Sequence, residues 1–163
     1  MTSTMDRLPG SAREGRGDLV EMVNQANDSF QPEITLLYCR QTLAQGVKPV
    51  EGRRAGDGFS ARLVVLPCSS KVQLPHMMRL LEKGCDGLQI AACPAKACQH
   101  LVGSDRAEHR LARGRDLLEQ VGMGAQRLGL ERGAGLQLED LLEMAGRRAE
   151  AVRALGPNPM KGV

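Results

Sequence analysis

Aromatic side chains are almost missing from this sequence: Tyr38, Phe30 and Phe59 are the whole set, and there is no Trp. With so little to stack on bases and a formal net charge of only +3, nucleic acid is not an expected partner. No apolar run approaches the roughly 20 residues that span a bilayer, so no transmembrane segment is expected. The opening stretch, MTSTMDRLPGSAREGRGDL, lacks the apolar centre of a secretory signal. The expected location is therefore the cytoplasm, where thiols stay reduced. No P-loop is present, and GAGLQL and GMGAQRL both lack the third glycine of a dinucleotide fingerprint. His76, His100 and His109 have no nucleophile or carboxylate at a recognisable spacing, and no substrate pocket is announced. An enzyme with a substrate site of its own is not expected.

What is present is an ordinary globular composition, 42% apolar and 25% charged, with five cysteines. In a cytoplasmic chain, an odd set of five favours metal or redox chemistry over a disulfide framework. Residues 1–32 stand apart as an N-terminal arm rich in Gly, Ser, Asn and charge. Three Arg against five Asp and Glu give the arm a balance of −2, which leaves +5 for the remainder. Leu19, Met22, Val23 and Ala26 would share one face of a short helix in it. Such a composition builds no core alone, so the arm is expected to be disordered or docked on a partner. Residues 33–158 are expected to form the folded domain, with 159–163 as a tail.

Within that domain, EITLLYC reads as a strand, and RQTLAQGVKPVEGRRAGDGFS as a weak helix or loop broken by Gly and Pro. ARLVVLPC reads as a second strand, buried on both faces. LPHMMRLLEKG is a helix with Pro75 in its first turn and Gly84 at its end. CDGLQIAAC is a third strand. A long helix follows, with Ser104 as N-cap and a stripe of Ala107, Leu111, Gly114, Leu118 and Val121. QRLGLER is a fourth strand, and the last helix aligns Leu138, Leu141, Ala145, Ala149 and Val152. Alternating buried strands and amphipathic helices predict an α/β, flavodoxin-like (Rossmann-like), mainly parallel sheet with helices on both faces.

That topology gives the cysteines a geometry. Cys39, Cys68 and Cys93 each terminate a predicted strand, and parallel strands end on one edge of a sheet. Cys98 lies in the loop after Cys93, within CPAKACQH, and can fold back. Burial alone would scatter thiols through strand interiors. Cys85, at the start of its strand, belongs at the opposite edge as core filler. Four convergent thiolates suit tetrahedral zinc or an iron–sulfur cluster. C-x2-C knuckles and common ferredoxin spacings are both absent, and a redox pair at Cys93 and Cys98 would need a C-x-x-C that is not there. Arg53, Arg54, Lys71 and Lys96 are expected on the same edge, where cations offset thiolate charge. His100, close to Cys98, is expected either to tune the site or to sit exposed in the loop.

LVVLPCSSKV, LLEKGCDGLQIAACPAKACQHLVGSDRAEHRL and LEQVGMGAQRLGLE together resemble the delta (iron–sulfur) subunit of methyl-viologen-reducing hydrogenase. The resemblance covers roughly residues 33–158. It implies a [2Fe-2S] carrier that exchanges electrons with a heterodisulfide reductase A-like subunit containing FAD and iron–sulfur clusters. Other subunits of a large redox complex are implied as well, of the hydrogenase-linked, electron-bifurcating or benzoyl-CoA reductase type. On the family's pattern Cys39, Cys68, Cys93 and Cys98 are the cluster ligands. The first family motif is commonly Cys-Asn-Trp-Cys; here Cys39 matches its first cysteine and Thr42 stands in place of its second. Lys96-Ala97 replaces a Gly-Asp pair. These departures suit a specialised paralogue, and a zinc-binding scaffold subunit is the alternative.

Overall fold

The structure is a computed structural model that describes residues 30–161. The arm residues Leu19, Met22, Val23 and Ala26 lie outside the described residues. Five strands form one sheet: β1 (Glu33–Cys39), β2 (Gly52–Gly56), β3 (Phe59–Leu66), β4 (Gly87–Ala92) and β5 (Leu128–Arg132). Their order is β2-β3-β1-β4-β5, parallel throughout except for β2, which pairs antiparallel with β3. Leaving β2 aside, the parallel strands run in the flavodoxin-like order 2-1-3-4, with the chain reversing direction across the sheet at β1. The expected α/β, mainly parallel architecture is what the chain forms.

Among the described residues three α-helices cover this sheet: α1 (Leu74–Glu82), α2 (Gly103–Gln120) and α3 (Leu138–Arg153). Met77 and Leu81 of α1 pack with Leu111 and Leu118 of α2 on one face, against Leu37, Leu88, Ile90 and Leu128. On the other face Leu141, Ala145, Ala149 and Val152 of α3 meet Ile34, Leu36, Tyr38 and Leu63. β1 and β4, flanked on both sides, are buried almost throughout. β3 is not. Its expected double burial fails, because Arg62 is exposed and Val64 and Leu66 are only half-buried.

Two other expectations are corrected. GRRAG, taken with the loop, is strand β2: it makes a hairpin with β3 across the turn at Asp57–Gly58 and forms the sheet's charged edge. Ser104 is not the N-cap of α2. That helix begins at Gly103, and the Ser104 hydroxyl is buried, accepting from Arg132 Nη1 at 2.8 Å. Gly84 does end α1, taking a positive φ of 91° that a side chain would resist.

Both ends of the described chain are tied to the domain. Phe30 packs on the α3-side core, and Pro32 accepts from the Ser60 N–H. Near the other end, fully buried Asp86 accepts from the Glu33 and Asn158 N–H groups, both at 2.8 Å, and from Lys161 Nζ at 2.6 Å. Buried Arg127 donates to the carbonyls of Asp86, Gly156 and Pro157. This polar clasp closes the sheet's amino-terminal edge and leaves the carboxyl edge to the cysteines.

Candidate metal centre

β1 presents Cys39 as its last residue, Cys68 follows β3 by two positions, and Cys93 directly follows β4. Since β3, β1 and β4 are neighbours and parallel, the three thiols arrive side by side at the point where the chain direction switches. A turn closed by Ala97 N–H on Pro94 O, at 3.1 Å, brings Cys98 back to them. All four are buried and form a cluster of their own, apart from both apolar cores.

Cys93 Sγ lies 3.7 Å from Cys39 Sγ. Cys68 Sγ and Cys98 Sγ both border the space beside Gly103. A tetrahedral metal with bonds of about 2.3 Å holds two sulfurs about 3.8 Å apart, so Cys39 and Cys93 are spaced to share one ion. Among the described residues no three or more His, Cys, Asp or Glu side chains gather as the site of a single ion.

The surroundings treat the sulfurs unequally. Burial, then the neighbouring thiols, push the Cys93 thiol up to about 12. Burial also acts against ionising Cys98, yet the N–H groups of His100, Ser104 and Gly103 hold it below the ordinary thiol range. Two of these donors open α2, so Cys98 occupies the place of its N-cap and receives the positive end of the helix dipole. This is why Ser104 is not needed as a cap. A fourth donor, Ser70 N–H, reaches Cys68 Sγ at 3.5 Å. The Ser69 hydroxyl, beside Cys68, is buried with no partner, a donor left over for a sulfur-rich group. The donor set and its N–H shell therefore fit an iron–sulfur cluster.

Other expected participants are placed differently. Arg53 and Arg54 sit on β2 opposite Arg62 and Ala61, and Arg53 pairs with Glu33 at 2.8 Å, towards the far edge from the thiols. Lys71 and Lys96 do lie in the cysteine loops, both exposed. The His100 side chain is exposed, and its contribution is its backbone N–H. Thr42 is fully buried with its hydroxyl donating to Cys39 O at 2.7 Å, so it closes the turn after β1.

Two arginines that no motif singled out hold the loops. Arg110 Nη1 donates to Ser70 O and Val72 O at 2.5 and 3.0 Å, tying the Cys68 loop to α2. Arg132 joins Cys93 O, Ser104, Asp105 and Glu108. It ends β5 just as the cysteines end or follow their own strands, a signal that strand polarity already carried.

Comparison with known proteins gives this centre a context. Residues 34–156 match the family described as methyl-viologen-reducing hydrogenase, delta subunit. The chain belongs to that family. A similar protein is the iron-sulfur subunit of the vhu F420-non-reducing hydrogenase of Methanococcus maripaludis, 29% identical over 132 residues, 80% of this chain and 98% of that one. Its namesake from Methanocaldococcus jannaschii is 26% identical over 129 residues, 78% of this chain and 96% of its own. The iron-sulfur subunit of the F420-non-reducing hydrogenase of Archaeoglobus profundus is 24% identical over 131 residues, 80% and 96% of the two chains. No helix among the described residues is long and apolar enough to cross a membrane.

Cys85 is separate from the centre. It is buried in the α1–α2 core, beside Asp86 and Thr35. Burial pushes its thiol from the ordinary value near 9 up to about 11. A raised thiol pKa favours the protonated fold, so the stabilisation is complete below about pH 9 and lost as pH climbs towards 11. Two units correspond to about 3 kcal/mol at most. Denaturant titrations across that window should show a shallower alkaline loss for Cys85→Ala than for the parent. Parallel curves would refute the assignment.

Proposed function

We propose that this protein is an electron-transfer subunit carrying one [2Fe-2S] cluster on Cys39, Cys68, Cys93 and Cys98, with no substrate chemistry of its own. The pair Cys39 and Cys93 would hold one iron, and Cys68 and Cys98 the other. The observation that carries this reading is the convergence of four buried thiols at the carboxyl edge of the sheet, Cys39 and Cys93 in contact. The family and the iron–sulfur names of the relatives support it.

Such a cluster supplies one-electron transfer. The chain's own part is to bind, shield and tune. N–H groups of Ser70, His100, Gly103 and Ser104 aimed at sulfur favour the more negative, reduced state and so raise the potential. Burial of the sulfurs slows access of water and oxygen. Loading must expel thiol protons, most tightly held at Cys93, so assembly takes up metal better as pH rises.

A one-centre carrier works by contact with a donor and an acceptor. In our reading the protein sits in a soluble multi-subunit oxidoreductase of the hydrogenase-linked, electron-bifurcating or benzoyl-CoA reductase type. It relays electrons to or from a heterodisulfide reductase A-like flavoprotein. Leu101, 78% exposed and held at a positive φ of 55° three residues after Cys98, supports a contact surface at this edge. Iron and acid-labile sulfide assays on anaerobically purified protein should return two of each per chain. One zinc and no sulfide would replace this reading with a redox-inactive scaffold.

A further inference from the structure

Parallel strands are ordinarily covered by helices on both faces. Among the described residues α1 and α2 leave β3 open on their side, where Val64 and Leu66 are only half-buried. A groove of about 410 Å³ remains between α1 and the strands, floored by Leu37, Val64, Leu66, Val72 and Leu80. From Arg62 to Leu66, β3 runs about 13 Å at 3.3 Å per residue. That is the length of about two and a half helical turns.

The rim has one sign. Arg62, Lys71, Arg79 and Lys83 line it, with His76, and among the described residues no Asp or Glu does. Among the described residues none of those four cations is paired with a carboxylate. Glu33 is already engaged by Arg53 and Lys161. Arg62 stands directly opposite Arg53 across the hairpin, a like-charge pair that costs stability unless something answers it.

We propose that this groove seats an amphipathic helix from a partner subunit, its apolar stripe on Val64, Leu66 and Leu80 and its flanking carboxylates on the four cations. The groove reaches Lys71 and Val72, just past Cys68, so a helix seated there brings its subunit to the thiol edge. The inference deepens the subunit reading and rests on it for the source of the helix.

The test uses the native complex, recovered through a tag on this chain, with a photo-crosslinking residue at Val64 and a control at Glu143 on α3. Val64 should capture a partner segment with apolar residues at helical spacing and at least two carboxylates, and Glu143 should not. Arg79→Glu with Lys83→Glu should lower recovery of the complex at least tenfold, with iron content and circular dichroism of the chain unchanged. Capture of residues 1–29 of this chain, of a second copy, of a small molecule, of a basic segment, or of nothing in an intact complex would overturn the proposal. A chain that copurifies with no partner overturns it too. A correct crosslink on a chain holding zinc would leave the groove standing and remove the electron-transfer reading.

Discussion

Serine in place of Cys39, Cys68, Cys93 or Cys98, one at a time, is expected to strip the protein of its visible absorbance, while Cys85→Ser keeps it. Each of the four thiols is one of only two that its metal would receive from the chain, so nothing nearby substitutes. Thr42, the nearest hydroxyl by family position, is committed to the Cys39 carbonyl. Even loss of a group behind a ligand weakens metal binding by about 10–100-fold, and loss of the ligand itself should exceed that. Iron per chain should fall at least about tenfold in each of the four variants. Circular dichroism should remain native, since the two apolar cores are elsewhere. Cys85 lies in one of those cores, so its serine variant should lose stability and keep iron. Bleaching by Cys85→Ser, with Cys39→Ser intact, would reverse the ligand assignment.

The convergence of thiols was legible because it depends on strand polarity alone. Three cysteines close three parallel strands, and hydrogen-bond registry then fixes their distance without any help from side chains. The hairpin was not legible in the same way. GRRAG has neither apolar alternation nor β-branched residues, and it is a strand because the edge of β3 offers it a ladder. Half of the expected cationic edge failed with it, since Arg53 and Arg54 travel with β2 towards the wrong end, while Lys71 and Lys96 lie in the cysteine loops. Ser104 was a sound N-cap by type. Its place was taken by a sulfur that no capping rule includes, delivered from six residues upstream by the loop after Cys93. The one-sided cover of β3 was hidden for a related reason: ARLVVLPC reads as doubly buried, and only the placement of α1 and α2 shows that Val64 and Leu66 are half-covered among the described residues.

Gly103→Ala is expected to empty the centre almost as completely as loss of a ligand, without touching one. A β-carbon at this position would stand 2.7 Å from Cys68 Sγ and 2.9 Å from Cys98 Sγ, closer than real contacts come. Gly103 also opens α2 and gives its N–H to Cys98, so the backbone cannot retreat without losing the donor that lowers that thiol's pKa. The sulfurs must move instead, by about 1 Å, which is the looseness that defeats a positioned site. Overpacking of this kind costs about 1–3 kcal/mol, well within what a domain of this size survives. Helical content should therefore be retained while iron and sulfide fall severalfold. Gly146→Ala on α3 is the control, since its β-carbon would meet only the Phe59 ring at 3.4 Å and alanine favours a helix. Full iron loading of Gly103→Ala, with absorbance equal to the Gly146→Ala control, would show that the metal does not lie between Cys68 and Cys98.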